Sequence, residues 1–147
     1  MSQDPAEANL EARLVSLGER LAQREAGHRQ EMDQAQEKAE VLHRDVAQAL
    51  SAFNRTVEAA GVTQLKVEQS EIRPDDKHLR SVQFDIRRGR HRAIVTIKSR
   101  GEVTLVGPFR TGKVEGPCKS FPFDSELEVS DALSAFLESF LEEAATP

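Results

Sequence analysis

Tryptophan and tyrosine are absent from this 147-residue chain, and cysteine occurs once, at Cys118. A single cysteine forms no internal disulfide and no cysteine-rich metal centre, so a reducing, cytoplasmic setting is expected, with no metal or cofactor. All seven Phe/Trp/Tyr residues are phenylalanine, which leaves few rings to stack on nucleobases once a core is filled. No run approaches the ~20 apolar residues of a membrane-spanning helix, so no membrane partner is expected. The opening MSQDPAEANLEARL has no basic stretch followed by an apolar core and does not read as a secretory signal. A chain of this length holds one modest domain and an appendage, which excludes a multidomain enzyme.

The net charge of −5 conceals a strong asymmetry. Residues 1–63 carry 7 Lys/Arg against 11 Asp/Glu, and residues 64–119 carry 13 against 7. Residues 120–147 carry 7 acids and no Lys or Arg. An acidic chain therefore has a basic middle. Either the acidic C-terminal segment packs beside it, or the basic face meets an acidic partner.

Residues 6–60 read as one long helix. Asp4 and Pro5 suit its cap and first turn, and no proline follows until Pro74, well beyond Gly61. Apolar or small residues recur in steps of three and four. The stripe runs through Leu10, Leu14, Leu17 and Leu21, then resumes through Met32, Ala35, Ala39, Leu42, Val46, Ala49 or Leu50, Phe53, Val57 and Ala60. Arg24 and His28 fall on the same seam, where polar groups fix register. A helix of this length runs ~80 Å, too long to bury its stripe on an 86-residue remainder, so the segment 1–61 is expected to self-associate, as a homodimer or with a partner helix. Leu10, Leu14, Leu17, Leu21, Leu42, Val46 and Phe53 are the expected oligomerisation residues. The alternative is a helical hairpin turning near Gly27-His28.

After Gly61 the period becomes two. Leu65 and Val67, then Val82, Phe84 and Ile86, then Ala93, Val95 and Ile97, then Val103 to Val106, predict a four-stranded antiparallel meander over about 64–107. The Gly/Pro-rich stretch 107–123 reads as irregular. Ser125-Glu126-Leu127-Glu128 reads as a capping box opening an amphipathic helix over about 125–144 that packs on the sheet. The expected class is thus α+β, with 62–147 as a small domain. In outline this order resembles small bacterial adaptor and chaperone-like modules, which implies no function.

Two segments carry candidate chemistry. Gly107 to Lys113 fills the first seven places of a phosphate-binding loop, but Val114 stands where Ser or Thr would hold magnesium, and Glu115-Gly116-Pro117 opens no helix. A nucleotide hydrolase is not expected. Arg110, Lys113 and Lys119 remain candidates for an anionic ligand or a protein partner, the alternative being a plain connection. The segment Arg87-Arg88-Gly89-Arg90-His91-Arg92 predicts a hairpin tip with Arg88, Arg90 and Arg92 solvated, able to straddle a phosphate backbone or simply to protect a sheet edge. Cys118 pairs with no local histidine. His28 and His43 lie on the helix, and only His78 and His91 share its domain. The expected function is a non-enzymatic interaction or adaptor protein. Nucleic-acid binding by the hairpin is one alternative, and a small enzyme or redox-regulated domain using Cys118 is another.

Overall fold

The computed structural model describes residues 4–75, 80–110, 112 and 116–146. Its class is the expected one: a long N-terminal helix, an antiparallel sheet and a C-terminal helix. Helix α1 runs unbroken over Pro5–Ala59, so there is no hairpin at Gly27-His28. Its start follows local chemistry. Pro5 occupies the first turn, where a missing N–H costs nothing, and the Asp4 carboxylate accepts the Ala6 N–H at 3.0 Å.

The sheet has six strands rather than four: β1 (Glu68–Gln69), β2 (Arg73–Pro74), β3 (Ser81–Arg88), β4 (His91–Lys98), β5 (Glu102–Arg110) and β6 (Cys118–Pro122). Helix α2 spans Glu126–Ala145. The order is β1-β3-β4-β5-β6, with β2 also pairing β3, and every pairing is antiparallel. The expected strand around Leu65–Val67 is instead a 3-10 turn over Thr63–Leu65 leading to β1. There Asn54 of α1 substitutes for a neighbouring strand, its side chain donating to Val67 O at 3.0 Å and accepting from Val67 N at 2.9 Å. The stretch read as irregular contains the end of β5 and all of β6. Ser125 precedes α2, but its side chain makes no capping bond.

Period-two alternation sorts the strands into two faces. Val82, Phe84 and Ile86 lie opposite Ile97, Val95 and Ala93, and Val95 and Ile97 lie opposite Leu105 and Val103. All are buried in one core with Ala35, Ala39, Leu42, Val46 and Leu50 of α1 and Val129, Leu133, Phe140 and Ala144 of α2. Helix α1 covers β3 and β4, and α2 covers β4, β5 and β6. Leu42, Val46 and Phe53, expected on an intermolecular seam, pack instead within the chain, the first two buried and Phe53 against the core. The C-terminal half of α1 thus belongs to the same core as residues 62–147. Among the described residues, no helix is long and apolar enough to cross a membrane.

Candidate interaction surfaces

The N-terminal half of α1 extends away from this core. Leu10, Leu14, Leu17 and Leu21 are 58%, 57%, 40% and 43% exposed, although their spacing is that of a buried stripe. The arm meets the domain near His28, which is half-buried. Just before it, Glu25 Oε1 accepts from Arg80 Nη2 at 3.1 Å and lies 3.5 Å from His28 Nδ1. The hydrogen bond from Arg80, and after it the nearby His28 ring, hold the Glu25 carboxyl below the usual carboxylate range. Arg24, the other polar seam residue, is exposed.

The sheet face away from the helices carries a charge cluster that crosses three strands. Asp85 on β3 is fully buried. Its Oδ1 takes Arg73 Nη2 from β2 at 2.5 Å. Its Oδ2 takes Arg87 Nη2 at 2.9 Å and Arg92 Nη2 from β4 at 2.6 Å. Burial pushes the Asp85 carboxyl up, but hydrogen bonds from Arg73 and Arg87 and the charges of Arg73 and Arg92 outweigh it, and the group stays below its ordinary value. Three guanidinium groups around one carboxylate leave two positive charges in excess, with Arg87 largely exposed. Arg92 also lies over the Phe109 ring, 6.0 Å from its centroid. Sequence reading placed Arg87 in the basic hairpin but did not connect it to Arg73 or Asp85. No local pattern joins residues brought together by strand register.

The expected hairpin forms, with Gly89 at φ 57° in the turn, but its arginines do different jobs. Arg88 is half-buried rather than fully solvated. It lies on the helix-facing side, its Nε donating to Gln64 O at 3.0 Å and its Nη1 to Ala144 O at the end of α2. Arg90 is exposed in the turn, and Arg92 is committed to Asp85.

The phosphate-loop-like segment is not a loop at its start. Gly107 to Arg110 belong to β5. Gly107 adopts φ 114°, and its N–H donates to Pro117 O at 2.7 Å. The Gly107 N–H is thus taken by the chain's own Pro117 carbonyl. Arg110 is exposed at the end of β5, opposite His91. Lys113 and His78 lie outside the described residues. Lys119 and Cys118 are exposed on β6, beside a groove of about 350 Å³ between β6 and α2 lined by Leu105, Phe121, Ala132 and Phe136. Among the described residues, no group of three His, Cys, Asp or Glu side chains is arranged to hold a metal ion.

Compared with known proteins, the chain matches no family model, no curated protein and no solved structure.

Proposed function

We propose that this is a non-enzymatic interaction protein that self-associates through the N-terminal arm of α1 and engages an anionic partner with its α+β domain. The observation that carries this reading is the leucine stripe at positions 10, 14, 17 and 21, which the chain's own core leaves exposed. Sedimentation equilibrium over a concentration series tests it. A dimer that becomes monomeric in Leu14→Glu/Leu17→Glu, with unchanged circular dichroism from the sheet, is expected. A parent chain that stays monomeric at tens of micromolar removes the reading.

A second reading, nucleic-acid binding, draws support from the two excess positive charges at Arg73, Arg87 and Arg92. It moves the contact from the hairpin tip, where Arg88 is structurally engaged, to the open sheet face. Fluorescence anisotropy with duplex DNA and single-stranded RNA at about 50 and 200 mM salt separates it from a protein partner. Phosphate contacts make affinity fall steeply with salt. Loss of that binding in Arg87→Glu supports the open face as the contact, and no binding at low salt ends this second reading.

A further inference from the structure

Resting on that self-association reading, we propose that two copies pair antiparallel along the arm, with Leu10 against Leu21 and Leu14 against Leu17 of the second copy. The phase of the helix is the first argument. Leu10, Leu14, Leu17 and Leu21 each lie 36 positions before Val46, Leu50, Phe53 and Val57, and 36 residues are ten turns of an α-helix. Val46, Leu50 and Val57 are buried, Phe53 packs on the core, and α1 is continuous between the two stretches. The exposed stripe therefore faces the same side of α1 as the chain's own sheet.

That coincidence decides orientation. A parallel partner seated on the arm would continue ~10 Å away alongside Met32 to Val57, in volume the sheet already fills. An antiparallel partner runs the other way, off the end of the arm. The arm also has the matching length. In this register Pro5 comes opposite Ala26 of the second copy, just before His28, where that copy's domain begins to cover its own helix. Each helix ends where the other domain starts.

The same register sets Glu7 against Arg24 of the second copy, at both ends of the pair by symmetry. It explains why the seam carries an arginine there. The flanking positions pull in opposite directions. Parallel pairing would bring Arg20 to Glu25, but Glu25 is already held by Arg80 within its own chain. Antiparallel pairing brings Arg13 near Arg20 of the second copy, a solvated like-charge contact that salt screens. Added salt thus relieves this contact while weakening the Glu7–Arg24 pairs.

Disulfide trapping in a Cys118→Ser background tests the proposal. Leu10 of one copy and Leu10 of the other would be separated by ~16 Å along the axis, far beyond disulfide reach, whereas Leu10 and Leu21 would face each other. Leu10→Cys and Leu21→Cys chains are therefore expected to stay uncrosslinked alone and to form a heterodisulfide when mixed and oxidised. Rapid crosslinking of Leu10→Cys with itself, or a dimer with no crosslink in any combination, overturns the antiparallel register but leaves self-association standing. A monomeric Cys118→Ser parent removes both. Charge reversal gives a readout that leaves the leucines intact. Glu7→Arg is expected to weaken the dimer about tenfold, and Glu7→Arg/Arg24→Glu to restore it. Failure of the double variant to restore affinity overturns the register.

Discussion

Arg88, at the tip of the β3–β4 hairpin, donates to the backbone carbonyl of Ala144 in the last turn of α2. A helix leaves its final carbonyls without intrahelical donors, and a cation there also meets the negative end of the helix dipole. α2 has no basic residue of its own in that turn, so the hairpin supplies one from 56 residues away. Arg88→Ala is expected to lower stability by about 1–2 kcal/mol in urea unfolding. Arg110→Ala, at an exposed strand end, should stay within about 0.5 kcal/mol. Equal effects of the two would deny Arg88 its capping role.

Asp85 should dominate the response of the domain to acid. Its folded-state pKa lies below that of an ordinary aspartate. A depressed carboxyl contributes stability that is fully present above its unfolded pKa and is lost as pH falls through the folded value. The loss should therefore begin near pH 4 and grow below it. Asp85→Asn leaves Arg73, Arg87 and Arg92 facing one another without a counter-charge. A cost of about 2–3 kcal/mol at neutral pH is expected, together with a shallower decline in stability below pH 4. Denaturant midpoints for parent and variant between pH 3 and 7 supply the comparison, and parallel acid limbs would exclude Asp85 as their source.

How much of this was legible beforehand depended on whether the signal was local. The periodicity of Val82-Phe84-Ile86 and of Ala93-Val95-Ile97 identified the central strands, and the Leu133–Phe140 stripe identified α2. β6, with the sequence CKSFP between glycine-rich and turn residues, has little strand character of its own and forms because β5 offers it a partner. β1 and β2 are two residues each and lean on Asn54 and on β3. The stripe on α1 showed that one side of the helix must be covered but not by what. Leu42 and Val46 find the chain's own sheet, whereas Leu10 and Leu14 lie beyond its edge. Asp85, Arg87 and Arg92 share one hairpin, but the cluster was illegible because the hairpin's arginines read as solvated and Arg73 arrives from a two-residue strand with no pattern of its own.

That division of one stripe into two uses predicts two unlike phenotypes from the same substitution. Leu42→Ala empties a buried site beneath the sheet and should cost about 2–5 kcal/mol, lowering the unfolding midpoint at every protein concentration. Leu14→Ala removes no contact with the core. At concentrations too low for association its unfolding midpoint should match the parent, while its dimer dissociation constant rises. Unfolding curves at two concentrations, with sedimentation on the same samples, separate the cases. A concentration-independent loss in Leu14→Ala would place that residue in the domain's own core.

Gly107 is where the candidate phosphate loop and the charge cluster meet, and its conformation supports the second. With φ at 114°, a side chain here would be strained. A Cβ would also sit 3.0 Å from Arg92 O and 3.2 Å from the Phe109 ring edge. The first belongs to the backbone that carries Arg92, and the second to the ring over which its guanidinium lies as it reaches Asp85. Gly107→Ala is therefore expected to cost about 1–3 kcal/mol and to move Arg92 off the carboxylate. Combining it with Asp85→Asn isolates that coupling. If the glycine acts through the cluster, the double variant loses less than the sum of the singles in urea unfolding. Additive losses would confine the role of Gly107 to the backbone of β5.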